Sequence, residues 1–172
     1  QYQRHFSDIT KAFSGILESA SSLLSEAPFT IIVTGSAGIG LADGLNLPFV
    51  QEVIACTAGI RKYIPSANTA VELGGEDAKI TYFYDNIEQR MNGVCAGGTG
   101  SFIDHMATLL NTDASGLNEM AKKAKTIHSI ASRCGVFAKT DVQALRNDGV
   151  VKEDRAASTM QAVVNQTIGG LA

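Results

Sequence analysis

Residues 68–84 read "NTAVELGGEDAKITYFY". Two runs rich in β-branched and aromatic residues flank Gly74-Gly75, a pattern that predicts two strands joined by a tight turn. Paired glycines permit positive φ and a close backbone approach. Successive N–H groups in such a turn form a concave anion site. The acids around it, Glu72, Glu76 and Asp77, suit a divalent cation or its waters. Lys79 suits either a phosphate or one of those acids. A plain hairpin with solvated charges accounts for the same residues.

Helical periodicity lies on both sides of this stretch. Upstream, Phe6, Ile9, Phe13, Ile16, Leu17, Ala20, Leu23 and Leu24 recur at three- and four-residue steps, predicting a helix that ends near Ser25. "FTIIVTG", Phe29 to Gly35, reads as a buried strand, and "SAGIGLADGLNLP" as a glycine-rich loop. Its glycines run G-x-x-G-x-G, the reverse of a dinucleotide fingerprint. Pro48 to Ile64 reads as a helix with Pro48 in its first turn. Downstream, "DNIEQRMNG" fits a strand or a turn. "TGSFIDHMATLL" is a helix with Phe102, Ile103, Met106, Leu109 and Leu110 as its inner stripe. "SGLNEMAKKA" is a short helix with Ser115 as its cap. Thr126 to Arg133 alternates like a strand. "CGVFAKTDVQALRNDG" is a helix closed by Gly149, and a last helix runs through Ala157, Met160, Val164 and Ile168. Alternating strands and helices predict an α/β class.

Composition narrows the function. The chain has 172 residues, 45% hydrophobic and 18% charged, with net charge −3. That balance gives no electrostatic case for nucleic acid or an anionic membrane. No apolar run approaches the ~18 residues of a membrane span. "QYQRHF" carries no secretory pattern. Three widely spaced cysteines make no disulfide framework, so a reducing cytoplasm is expected.

Cys95, in "MNGVCAGGTGSFIDHMA", and Cys134, in "SRCGVFAKTDV", each stand at the start of a predicted helix. A helix N-terminus lowers a cysteine pKa and stabilises an anion. Thiolate-ligated iron–sulfur clusters are such anions. Two cysteines are too few for four ligands, and a symmetric dimer would supply four. Buried inert cysteines, a redox-sensing pair and zinc are the alternatives. Cys56, among Ile54, Ala55 and Ala58, reads as packing. His5, His105 and His128 read as solvated or strand-edge. No Ser-His-Asp order or nucleophile elbow stands out.

"VELGGEDAKI", "MNGVCAGGTGSFIDHMA" and "SRCGVFAKTDVQALRNDGVVKEDRAASTMQAVVNQTIGGLA" together resemble the activators of 2-hydroxyacyl-CoA dehydratases. These are grouped with the ATPase subunits of benzoyl-CoA reductases as the BadF/BadG/BcrA/BcrD-type ATPases. Their motifs read D-I-G-G-Q-D-S-K, C-A-A-G-T-G-x-F-[LI]-D and S-x-C-x-V-F-A-x-[ST]-[ED]-V. The likeness runs from about Phe29 onward.

The resemblance implies a partial actin, hexokinase and Hsp70-like (ribonuclease H-like) ATPase fold, truncated at both ends. Residues 1–67 would form the C-terminal part of a first subdomain. Residues 68–172 would form the N-terminal part of a second, carrying the phosphate hairpin and both cysteines. It implies ATP and Mg²⁺ at Glu72, Gly74, Gly75, Glu76, Asp77 and Lys79. It also implies one [4Fe-4S] cluster shared by a homodimer through Cys95 and Cys134 of each subunit. A ferredoxin or flavodoxin would donate the electron, and a dehydratase or acyl-CoA reductase would accept it. Glu72 stands where the family has Asp, Glu76 where it has Gln and Ala78 where it has Ser. The family's first phosphate hairpin and its adenine-side glycine motif are not among these residues, so this stretch is not expected to hydrolyse ATP alone. A sugar- or acetate-kinase-like phosphotransferase of the same superfold explains the hairpin but not the paired cysteines. A cluster-free dimerisation or interaction domain is the third reading.

Overall fold

A computed structural model describes residues 3–5, 8–25, 28–84, 86–93, 97–132 and 134–172. Cys95 and Arg133 lie outside the described residues. The chain divides into two compact units, Gln1–Ala67 and Asn68–Ala172.

In the first unit, helix α1 spans Ile9–Leu24, and its N-cap is Asp8, whose carboxylate accepts the Lys11 N–H at 2.9 Å. The expected strand at Phe29 to Gly35 is a correction: β1 covers only Val33–Thr34, with Phe29 and Ile32 exposed. β1 pairs in parallel with β2, Phe49–Val50. Between them the expected loop is instead a 3₁₀ turn at Ser36–Gly38 and a helix α2, Ile39–Leu45. That helix ends on Asn46 in the left-handed region, a conformation asparagine tolerates well. Helix α3 spans Glu52–Tyr63 with Gln51 as its cap. Pro48 therefore precedes the helix, and Phe49–Val50 are extended. Glu52 in the first turn and Arg61 and Lys62 in the last complement the α3 dipole.

In the second unit, β3 (Thr69–Leu73), β4 (Ala78–Phe83) and β5 (Ile87–Met91) form an antiparallel sheet in that order. The register opposes Leu73 to Ala78, Glu72 to Lys79 and Lys79 to Met91. "DNIEQRMNG" thus supplies a strand. Helices α4 (Gly100–Leu109), α5 (Ala114–Ala121), α6 (Gly135–Asn147) and α7 (Lys152–Leu171) follow. Gly149, at φ 79, ends α6 as its sequence position predicts. The α5 cap is Asp113, which accepts the Gly116 N–H at 2.8 Å, and not Ser115. Asp113 stands just before the first helical residue, where an acceptor reaches the unpaired amides.

The α7 helix packs against α4, α5 and α6. Their shared core holds Phe102, Met106, Leu110, Leu117, Val142 and Val163, all buried. Each such large side chain contributes about 1.5–3 kcal/mol. The predicted stripe on α4 divides: Phe102, Met106 and Leu110 are buried, while Ile103 and Leu109 are half-buried against them. On the sheet, Ala78 and Ile80 pack with Leu171.

Candidate nucleotide hairpin and thiol cleft

The β3–β4 turn is Gly74 to Asp77, closed by the Gly74 N–H donating to the Asp77 carbonyl at 2.8 Å. Two of its carbonyls face α4. Gly74 accepts the Gly100 N–H and Gly75 accepts the Ser101 N–H, both at 2.8 Å. Thr99, the N-cap of α4, makes no side-chain cap hydrogen bond. The turn therefore satisfies two of the amides that every helix start leaves without intrahelical partners. This corrects the picture of α4 aiming its N-terminus at an anion, because its first two N–H groups are already taken.

The other side of the same turn is unspent. Among the described residues, the N–H groups of Gly75, Glu76 and Asp77 have no hydrogen-bond partner. Three successive free amides around a glycine turn are the donor set that an oxyanion uses. Lys79 resolves toward its acid alternative. Its Nζ lies 3.5 Å from a Glu72 carboxylate oxygen, across the β3–β4 pair, and its side chain is only 6% exposed. The pair brings a buried ammonium its counter-charge. Glu76 and Asp77 instead line a cleft.

Asn92, just after β5, fastens the turn from behind. Its Oδ1 accepts the Ala78 N–H at 2.8 Å, and its own N–H donates to the Ala78 carbonyl at 2.9 Å. Its Nδ2 reaches the Glu76 carbonyl at 3.5 Å. Nothing in the sequence pattern marked this residue.

The cleft has a volume of about 870 Å³. It runs from Glu76 and Asp77, along Ser101, Phe102 and His105 of α4, to Cys134 and Lys139 on and before α6. Gly93 and Gly97, on either side of the Cys95 stretch, line it as well. Cys134 is the half-buried N-cap of α6, in extended backbone geometry, and is a free thiol. The described part of the site thus contributes one thiol to a cleft bordered by the residues that flank the other. A half-buried thiol is a soft donor of the kind thiolate-ligated clusters use, and one thiol is by itself no ligand set. Among the described residues, no group of three or more His, Cys, Asp or Glu side chains is arranged to hold a metal ion. Glu72 lies 3.5 Å from the Lys79 ammonium, while Glu76 and Asp77 line the cleft. Cys56 is half-buried in α3 of the first unit.

Gly98, at φ 79, packs against Gln166 of α7, so close that a Cβ there would stand 2.8 Å from Gln166 Cγ. Gly98 thus permits a left-handed turn and a close fit to α7. No described helix is long and apolar enough to cross a membrane.

A model of the BadF/BadG/BcrA/BcrD ATPase family matches residues 2–169. The (R)-2-hydroxyglutaryl-CoA dehydratase activating ATPase of Acidaminococcus fermentans is 30% identical over 161 residues, covering 92% of this chain and 61% of the relative. The crystal structure of the A. fermentans (R)-2-hydroxyglutaryl-CoA dehydratase component A matches with a TM-score of 0.80 at 30% identity, covering 93% of this chain and 62% of that one. The activator of the 2-hydroxyisocaproyl-CoA dehydratase from Clostridium difficile, solved with bound ADPNP, matches with a TM-score of 0.79 at 26% identity, covering 94% and 60%. The chain thus spans about three fifths of the length of these relatives. Its α/β architecture is that of the actin, hexokinase and Hsp70-like ATPases.

Proposed function

The chain belongs to the BadF/BadG/BcrA/BcrD ATPase family, and from that premise we propose that it serves an ATP-dependent activator of a 2-hydroxyacyl-CoA dehydratase or related acyl-CoA reductase. The activator works as a homodimer in a reducing cytoplasm, with a ferredoxin or flavodoxin as donor. A [4Fe-4S] cluster held by Cys95 and Cys134 of both subunits supplies one-electron transfer when bound.

The observation that carries this reading is the double hydrogen bond from the hairpin turn to α4. The free amides of Gly75, Glu76 and Asp77 receive phosphate oxygens, and the carboxylates of Glu76 and Asp77 orient the waters of Mg²⁺. Any displacement of the turn pulls on the carbonyls of Gly74 and Gly75. Those carbonyls hold the first turn of α4, the helix that begins just after the Cys95 stretch. The hairpin turn is thereby tied by two short bonds to the helix that begins five residues after Cys95. The nucleotide found in the C. difficile neighbour supports ATP as the ligand.

The test uses the full-length protein, purified without oxygen and supplied with iron and sulfide. We expect a brown, reducible protein with ATPase activity, and loss of bound iron in Cys95→Ser and Cys134→Ser. Unchanged iron in both variants overturns the ligand assignment. Phosphorylation of a small acceptor by the protein and by both cysteine variants overturns the activator reading in favour of a phosphotransferase.

A further inference from the structure

The alternation from Thr126 to Arg133 predicts a strand, but among the described residues this segment pairs with none. Side chains take the place of a ladder. Asp154 of α7 accepts the N–H groups of Lys125 and Thr126 at 2.7 and 3.2 Å. Ser158, one turn on and buried, accepts the His128 N–H at 2.8 Å and donates to the Asp154 carbonyl at 2.6 Å. Asp141 of α6 accepts the Ala131 N–H through Oδ2 at 2.8 Å. Ile130 beside it is seated in the core with Ala138 and Val142 of α6.

The last of these contacts differs from the others. Asp141 lies on the helix that Cys134 itself begins. Helical side chains lean toward the N-terminus, so Asp141 reaches back along α6 and grips the strap before it arrives. The bond closes a short ring of chain from Ala131 to Asp141 that contains Cys134. One end of that ring is the helix, and the other is held by the helix's own side chain. Asp154 and Ser158 hold only the far end of the strap, against a different helix.

We propose that Asp141 is a positioning residue that fixes the Cys134 thiol at the mouth of the cleft. The proposal rests on the reading of Cys134 as a cluster ligand. Its role is exerted through the Ala131 amide.

The test reads the thiol directly. In the full-length protein, reduced and free of iron, alkylation of each cysteine by iodoacetamide is followed by peptide mass spectrometry. We expect Asp141→Ala to speed Cys134 alkylation about threefold or more by loosening the strap, with Cys56 unchanged. Asp141→Asn, which keeps an acceptor oxygen, should stay within about twofold of wild type. After iron and sulfide are supplied, Asp141→Ala should retain less than about half the iron that Asp141→Asn retains. A wild-type Cys134 rate in Asp141→Ala, or equal acceleration in both variants, overturns the proposal. Should Asp141→Ala fail to fold, hydrogen exchange on the wild-type protein decides. The Ala131 amide must then exchange as slowly as the interior amides of α6, and fast exchange overturns the proposal. If wild type takes up no iron while Asp141→Ala still frees the thiol, the positioning role stands and the cluster reading falls.

Discussion

The Gly100 N–H donates to the Gly74 carbonyl at 2.8 Å, so a helix start is capped by the backbone of a hairpin turn. Side-chain caps at helix starts can be replaced one for another by mutation. A backbone cap cannot, and it fixes the distance between the two elements. The turn and α4 therefore behave as one body within the second unit.

Gly100→Ala tests that closeness. A Cβ at this position would lie 3.0 Å from the Gly74 oxygen and 3.5 Å from Gly75 Cα. Alanine gains up to about 1 kcal/mol over glycine inside a helix, and less at its first residue. Crowding a backbone atom that cannot swing aside costs about 1–3 kcal/mol. The crowding wins. Gly100→Ala should lower stability by about 1 kcal/mol in urea unfolding and weaken ADPNP binding several-fold in the full-length protein. Unchanged affinity would separate the hairpin from α4 and sink the coupling argument.

Asn92→Ala removes the acceptor for the Ala78 N–H, and Ala78 is only 2% exposed. A buried donor left without a partner costs about 1–3 kcal/mol. Asn92→Asp keeps an acceptor for the Ala78 N–H and loses the amide that reaches the Glu76 carbonyl at 3.5 Å. The expected order of urea midpoints is wild type, then Asn92→Asp close below it, then Asn92→Ala well below. Equal losses in both variants would show that the Ala78 bond is not what sets the midpoint.

The contrast between hairpin and bracket explains what the sequence made legible. Gly74-Gly75 between β-branched runs specifies a turn through its own residues, and the periodic stripes of α4 and α7 specify helices in the same way. Asn92 and Asp141 act on backbone amides, which look alike whatever residue carries them, so no spacing reveals the pairing. The alternation from Thr126 to Arg133 predicts a strand, and no strand forms among the described residues there. It could not say that Asp154, Ser158 and Asp141 would stand in for a neighbouring strand. Ser36 to Leu45 failed for the opposite reason. Its glycines lower helix propensity by about 1 kcal/mol each, yet part of that run is helical, with Ala42 buried. Phe29 and Ile32 are exposed and lie outside β1, so β-branched and aromatic content does not by itself make a buried strand.

Gly98→Ala should be costly for two separable reasons. The left-handed φ of 79° strains an L-residue by about 1–2 kcal/mol. The added Cβ also meets Gln166 Cγ at 2.8 Å and Gln166 Cβ at 3.2 Å. Trimming Gln166 to alanine removes the nearer contact and leaves the strain. The double variant should therefore be less damaged than the sum of Gly98→Ala and Gln166→Ala, by about 0.5 kcal/mol or more in urea unfolding. Strict additivity would mean that Gln166 does not press on the cysteine loop.

Asp154 gives the strap a pH dependence whose sign is fixed. The Lys125 and Thr126 N–H groups, in that order of effect, hold its carboxyl below the ordinary value of 3.8, against a smaller opposing push from desolvation. A folded-state pKa below the unfolded one means the unfolded chain binds the proton more readily. The bond's stabilisation is therefore complete above the ordinary value and is lost as the pH falls through the lower folded one. Asp154→Asn keeps the shape but has no carboxylate to protonate. Urea midpoints at pH 7 should place the variant below wild type, and by pH 3 the gap should have narrowed. A gap that is constant or wider at pH 3 would mean that Asp154 holds the strap by shape alone, and that the charge contributes nothing.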